Sequence, residues 1–165
     1  MPRLLTVVVL SLLVTAAQAK DIVVTPDYFD CVTNWTKIRN TRIHHPRRKR
    51  LEKAIRIFER GTPKRRYPVG TVLQLVPFEA MVKHRKRFFP ETDGWEFFAL
   101  DVSSGATVIR SRGGDAINFL GRSCKTCHAA AARFDWVCEQ GHGCDPIPLT
   151  ESGIGALQEG DRRCR

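Results

Sequence analysis

The sequence predicts an α+β fold with a mainly antiparallel β-sheet, N-terminal helices and a C-terminal helix. Three observations support it. Apolar residues recur at helical spacing near the N-terminus, strand-like segments closed by turn residues fill the middle, and an alanine-rich helical segment follows Ser123. The 165 residues contain neither an internal repeat nor an interdomain linker. One folded domain is therefore expected.

Residues 1–19 have the features of a secretory signal peptide. Arg3 gives a positive start, residues 4–14 are mainly apolar, and small residues surround Ala19. The apolar stretch is too short to span a membrane, so no membrane span is expected. Cleavage after Ala19 would leave residues 20–165 as a single domain. A secretory signal also predicts a periplasmic or secreted location, where cysteines are oxidised or bonded to a partner.

Two helices are predicted before the sheet. The first begins at Thr25 and Pro26, has apolar residues at helical spacing up to Ile38, and is broken or ended by Pro46. The second has its apolar stripe over residues 51–58 and ends at Gly61. That stripe consists of Leu51, Ala54, Ile55 and Phe58.

The middle of the chain has the pattern of antiparallel strands. Residues 69–76 are almost continuously apolar and β-branched, which predicts a strand covered on both faces. Residues 79–85 alternate weakly and form a second candidate strand. Residues 95–102 and 106–110 flank Ser-Ser-Gly, and the glycine of this turn suits a hairpin that needs a positive φ.

Residues 124–128 have the sequence Cys-Lys-Thr-Cys-His and are the candidate cofactor-binding segment. A CxxCH motif behind a signal peptide predicts covalent attachment of one haem c per chain. Cys124 and Cys127 lie on one helical turn and can form thioethers with the two vinyl groups of one porphyrin. His128 then reaches the iron as its protein ligand. Ser123 is a suitable cap for this turn.

Two other interpretations use the same cysteines. A thioredoxin-like redox pair is also CxxC, but it usually begins a helix that follows a strand of a parallel sheet. A zinc site would combine Cys124 and Cys127 with further ligands. The available ligands are Cys138, Cys144 and His142.

The second iron ligand decides the function. Met1 leaves with the signal peptide, Met81 lies upstream, and no methionine follows His128, which disfavours a simple His/Met cytochrome. The other histidines are expected mainly at the surface. They are His44, His45, His84 and His142. An open distal side that takes a small gaseous or nitrogen-oxide ligand is therefore predicted.

Four cysteines lie outside the motif. Cys138 and Cys144 flank a short loop, so a local disulfide between them is one expectation. A Cys31–Cys164 bond would join the first helix to the tail, but spacing leaves this open, and Cys31 as a buried free thiol is the alternative. The tail from residue 141 is rich in Gly and Pro and is expected to be irregular.

The chain carries a formal charge of +10, with basic runs at 47–50, 64–66 and 83–87. Such runs most often form a solvated face. They can also dock an acidic redox partner, with rates that fall in salt, or pair with haem propionates. Nucleic acid is not an expected partner in this compartment.

Several short motifs stand in a fixed order along the chain: Gly-Thr-Val at 70–72, Glu-Ala-Met-Val-Lys at 79–83, Asp-Gly-Trp-Glu-Phe-Phe at 93–98, the CxxCH at 124–128, and Asp135. This order resembles the cytochrome P-460 family and its cytochrome c-prime-beta relatives over roughly residues 25 to 140. The resemblance implies a mainly antiparallel β domain, with a homodimer as one expectation. It also implies that His128 is the proximal ligand and that the distal side is vacant.

Within that family, the P-460 enzymes oxidise hydroxylamine and cross-link a lysine to the haem edge. The matching position here is Leu75, and Lys83 is the nearest alternative cross-linker. The enzymes also place a carboxylate just after the haem histidine, where this chain has alanines at 129–132. The resemblance therefore favours the c-prime-beta type, which binds nitric oxide. A hydroxylamine oxidoreductase and a simple electron-transfer cytochrome are the alternatives.

An aliphatic distal pocket admits neutral diatomic ligands and disfavours charged ones, because it cannot satisfy their hydrogen bonds. Four aromatic residues are candidates to cap the iron in such a pocket. They are Tyr28, Phe29, Phe97 and Phe98.

Overall fold

The computed structural model describes residues 22–139 and 141–164, so the predicted signal peptide lies outside the described residues. The strands are β1 (Thr36–Ile38), β2 (Thr41–His44), β3 (Val72–Gln74), β4 (Glu79–Lys83), β5 (Trp95–Asp101) and β6 (Val108–Arg112). The α-helices are α1 (Arg48–Arg60), α2 (Cys124–His128) and α3 (Glu151–Glu159). Short 3-10 turns fill several connections, including Ala129–Phe134 directly after α2.

The six strands form one sheet in sequence order, and every neighbouring pair is antiparallel. The predicted α+β class with an antiparallel sheet is therefore confirmed. Met81 pairs with Leu73 on one side and with Phe97 on the other, so these three side chains share one sheet face. The opposite face carries a second apolar cluster that includes Val72 and Phe98. Strand β3 is buried on both faces, as predicted.

The prediction of a first helix beginning at Thr25 is wrong. The structure has two 3-10 turns, Pro26–Tyr28 and Val32–Asn34, followed by the β1–β2 hairpin. Strand propensity explains part of this, because β1 and β2 are rich in Thr and Ile. Pairing explains the rest, because β2 lies against β3 and places Ile43 beside Leu73 in the core. Long-range pairing of this kind overrides a local helical spacing.

Helix α1 confirms the second prediction. Ala54 and Phe58 are buried, and Gly61 ends the helix with a φ of +53°. Helix α3 was not predicted, because the tail was expected to be irregular. Thr150 caps α3 by accepting a hydrogen bond from Gly153 N at 3.1 Å, and Ile154 is among its buried residues.

Both cysteine pairs form disulfides: Cys31 with Cys164, and Cys138 with Cys144. The alternative that Cys31 is a free thiol is therefore wrong. The first bond joins the beginning of the described chain to its end across 133 positions of sequence. Two disulfides indicate an oxidising compartment. None of the helices described in residues 22–139 and 141–164 is both long enough and apolar enough for a membrane crossing.

Candidate functional site

A cavity of about 600 Å³ is lined by one face of the sheet, by α2 and by the segments that follow it. This volume lies within the range typical of small-molecule and cofactor sites. The three residues that the sequence predicts to hold haem, Cys124, Cys127 and His128, all line it. Helix α2 brings them together as predicted, with Ser123 Oγ accepting a hydrogen bond from Thr126 N.

The imidazole of His128 is held in a defined orientation. Its Nδ1 lies 2.7 Å from the backbone oxygen of Trp136. A carbonyl oxygen only accepts, so Nδ1 carries the proton and Nε2 keeps the lone pair that a metal ligand needs. Burial lowers the pKa of His128, although the bond to Trp136 partly opposes this shift. The ring also packs against Phe97, with centroids 4.9 Å apart.

The Trp136 carbonyl is positioned by an unusual turn. Asp135 and Trp136 both have left-handed backbone conformations, with φ values of +56° and +65°. Such values are uncommon outside glycine. Trp136 N also donates to Ala131 O at 3.0 Å, which ties the turn back to the 3-10 segment Ala129–Phe134 that follows α2. The orientation of His128 therefore depends on how firmly this turn is held.

The side chain of Asp135 holds the turn from inside the protein. It is fully buried and accepts hydrogen bonds from Lys83 Nζ at 2.7 Å, Arg66 Nη1 at 2.8 Å and Tyr67 N at 2.8 Å. A buried carboxylate is tolerated when its oxygens are satisfied in this way. Arg66 also reaches Asp93, 2.7 Å away, and extends the network to the surface.

The side chain of Lys83 makes its contacts outside the cavity. Besides Asp135, its Nζ donates to Asp93 O at 2.9 Å and lies 5.0 Å from the centre of the Trp95 ring. It is buried, and it is absent from the cavity lining. A cross-link from Lys83 to haem would require breaking a buried ion pair. Leu75, which the resemblance matches to the cross-linking lysine, does line the cavity.

The state of the motif cysteines opposes the thiol-redox interpretation. Cys124 and Cys127 are free thiols. Burial, together with the charges of Glu79 and Cys127, raises the pKa of Cys124 to about 12. A redox-active pair instead requires a lowered pKa, because the thiolate is the reactive form.

The zinc interpretation lacks its ligands. Cys138 and Cys144 are bonded to each other. His142 stacks on Phe134 with ring centroids 3.8 Å apart and is absent from the lining of the cavity that Cys124 and Cys127 share. Within residues 22–139 and 141–164, no three His, Cys, Asp or Glu side chains converge as a metal-ion site would require.

Among the five histidines, all of which the structure describes, His128 alone lines the cavity. His44 stacks on Trp35, and His45 Nε2 lies 3.0 Å from Val69 O. Met81 does line the cavity, although its place upstream of His128 in the sequence gave no sign of this. The alternation of β4 and its register against β5 put Met81 on this face.

The four aromatic residues that are candidates to cap the iron lie on two different faces of the sheet. Phe97 lines the cavity, whereas Phe29 and Phe98 pack together in the cluster on the opposite face, with ring centroids 5.0 Å apart. Tyr28 packs against that same opposite cluster. Of the four predicted capping residues, Phe97 is thus the one that the fold places at the site.

Two arginines supply positive charge at the cavity. Arg39 pairs with Glu139 at 3.0 Å and Arg122 with Asp145 at 3.4 Å, and both arginine side chains are about half exposed. No residue of the three basic runs lines the cavity. The prediction that those runs pair with the propionates is therefore not supported. Arg39 and Arg122, which lie outside the basic runs, are the candidate partners.

No protein-family model, curated protein or solved structure matches this chain. The fit of a cofactor thus depends on the cavity itself. The cavity suits a covalently bound porphyrin in four respects. It has two free thiols one helical turn apart, a neutral imidazole with an oriented Nε2, an apolar sheet face and two arginines.

Proposed function

We propose that this chain is a periplasmic or secreted c-type haem protein that binds or detoxifies nitric oxide or a similar small neutral ligand. The observation that carries the proposal is the shared cavity: Cys124, Cys127 and His128 line it together with an apolar sheet face. When bound, haem supplies an iron centre able to take such a ligand. The resemblance to the cytochrome P-460 family agrees with this arrangement.

Each residue has a definite part in the proposed site. Cys124 and Cys127 would fasten the porphyrin through thioethers, and His128 Nε2 would be the iron ligand. The Trp136 carbonyl fixes the tautomer and direction of His128, as outer partners of metal-binding histidines commonly do. Arg39 and Arg122 are the cations available to the propionates.

The sheet side of the cavity governs which ligand enters. Leu73, Leu75, Met81 and Phe97 line it with apolar groups. These four side chains offer no partner to an ion or a strong hydrogen-bonding group, so a neutral diatomic ligand meets the smallest desolvation penalty against them.

Met81 favours a second candidate function, electron transfer with a His/Met-ligated iron. Its thioether lines the same cavity as His128, and Met is a common second ligand in electron-transfer cytochromes. This candidate differs from the first in one measurable respect. It requires Met81 to occupy the position that the first leaves open to nitric oxide.

Hydroxylamine oxidation is a third candidate, and Glu79 is the residue that favours it. Glu79 lines the cavity, its Oε1 accepts from Phe119 N at 2.6 Å, and burial raises its pKa, as suits a proton-transfer group. Against it, Lys83 is held by Asp135, and Leu75 occupies the position of the cross-linking lysine.

Ferrous spectra with and without nitric oxide separate these candidates. The protein is produced with a periplasmic cytochrome-maturation system, and wild type is compared with Met81→Leu. The proposal predicts a five-coordinate iron in both proteins and a spectral change on adding the gas. A six-coordinate, low-spin wild type that ignores the gas, together with a responsive Met81→Leu variant, would establish the electron-transfer candidate instead.

A further inference from the structure

A groove of about 400 Å³ lies between α1 and the segment that follows it. Apart from Ile57, every residue that lines it is a cation with an exposed side chain. The cations of this basic groove are Lys53, Arg56, Arg60, Lys64, Arg65 and Arg66. The groove shares no lining residue with the cavity that holds His128.

Most of this charge is uncompensated. Arg66 pairs with Asp93 and Asp135, but within the described chain none of the other five groove cations is within ion-pair distance of a carboxylate. An exposed basic face is ordinarily just solvated. Here the cations surround a concavity, so their potentials add in one place and attract a complementary anionic surface.

The basic groove adjoins the segment that positions His128. Lys64 N donates to Arg133 O at 2.8 Å, and Arg66 Nη1 reaches Asp135 Oδ1 at 2.8 Å. Asp135 is followed by Trp136, whose carbonyl oxygen accepts the hydrogen bond from His128. A partner seated in the groove would therefore sit against the His128 side of the cavity, while the sheet side stays available to a small ligand.

We propose that the basic groove docks an acidic redox protein that exchanges electrons with the haem from the His128 side. The inference rests on the proposed function, since it requires bound haem. In the exchange the partner gives up one electron and the ferric haem becomes ferrous; no bond is made or broken. Charge complementarity would give the encounter a high rate at low salt and a steep loss of rate as salt rises.

The test uses a reduced acidic flavodoxin as probe and measures haem reduction by stopped flow. Lys53→Glu/Arg56→Glu/Lys64→Glu reverses the groove charge. Lys37→Glu/Arg110→Glu/Arg162→Glu makes the same change in net charge at exposed cations elsewhere. We expect the groove variant to slow reduction at low salt by about tenfold or more relative to the control variant. Circular dichroism and the ferrous spectrum verify that both variants are folded and loaded.

Three results would overturn the inference. Equal slowing in both variants would mean that net charge alone acts. An unchanged rate in the groove variant would place the contact elsewhere. Groove-dependent binding to vesicles of anionic lipid, without groove-dependent reduction by flavodoxin, would identify a membrane surface as the partner. If the protein is red and responds to the ligand in these three cases, the proposed function still holds. Colourless wild-type protein would rule out both the proposed function and the docking inference.

Discussion

The two sides of the cavity are built on different physical principles. The His128 side is held by directional bonds, from the imidazole through Trp136 to the buried carboxylate of Asp135. The sheet side is held by apolar packing, with Met81 between Leu73 and Phe97. Directional bonds fix the angle of a metal ligand, whereas packing fixes only the shape of a space. For the proposed haem site, the sheet side would therefore select a ligand by excluding groups that do not fit its shape or polarity.

The largest effect is expected at the buried carboxylate of the His128 side. Asp135→Ala leaves the buried amine of Lys83 without its carboxylate partner, and removing one member of a buried pair costs about 3–5 kcal/mol. The free energy of unfolding in urea measures this loss. The haem-loaded variant should also show a changed reduction potential, because the Trp136 carbonyl no longer holds His128 in place.

The matched control is Asp145→Ala. This change breaks an exposed pair with Arg122, since the side chain of Asp145 is 76% exposed. An exposed pair contributes about 0–1 kcal/mol. Equal losses of stability in the two variants would show that Asp135 has no special role in holding the turn.

On the sheet side, stability should depend on the volume of the substituted side chain and not on a directional bond. Met81→Ala removes buried apolar atoms and is expected to cost about 2–5 kcal/mol, whereas Met81→Leu conserves volume and should cost less than about 1.5 kcal/mol. Thermal or urea unfolding of the apoprotein gives both values. If leucine proves as damaging as alanine, the thioether has a role that packing does not explain.

The smallest effect concerns the one cavity carboxyl whose pKa burial raises, Glu79. Its folded-state pKa lies above its unfolded value, so the folded protein holds this proton more tightly. Wild-type stability is therefore lost as pH rises from the unfolded pKa through the folded pKa. Glu79→Gln cannot ionise and keeps an oxygen for Phe119 N, so it should gain stability relative to wild type as pH rises from the unfolded pKa of Glu79 to above its folded pKa. Parallel unfolding curves across this range would contradict the assignment.

Local signals in the sequence predicted what local interactions determine. The β5–β6 hairpin has Gly105 at a φ of +83°, α1 ends at Gly61, and Ser123 caps the CxxCH helix. These features need only neighbouring residues, so a pattern of a few positions is enough to find them.

Long-range interactions account for the features that the sequence did not predict. Strand β2 exists because it pairs with β3, and Met81 enters the cavity through its register with β5. Asp135 stood out only through a family resemblance, since its partners Lys83 and Arg66 are 52 and 69 positions away. Helix α3 was hidden by the glycines and prolines of the tail, and its buried Gln158 bonds to Asn40 O and Leu75 O.

Covalent attachment of haem to Cys124 and Cys127 can be measured by a pyridine haemochrome assay on denatured protein made with the cytochrome-maturation machinery. We expect one haem per chain that stays with the polypeptide through acid–acetone extraction, and none in Cys124→Ser/Cys127→Ser protein. Colourless wild-type protein, or haem that is extracted equally from both proteins, would rule out this attachment.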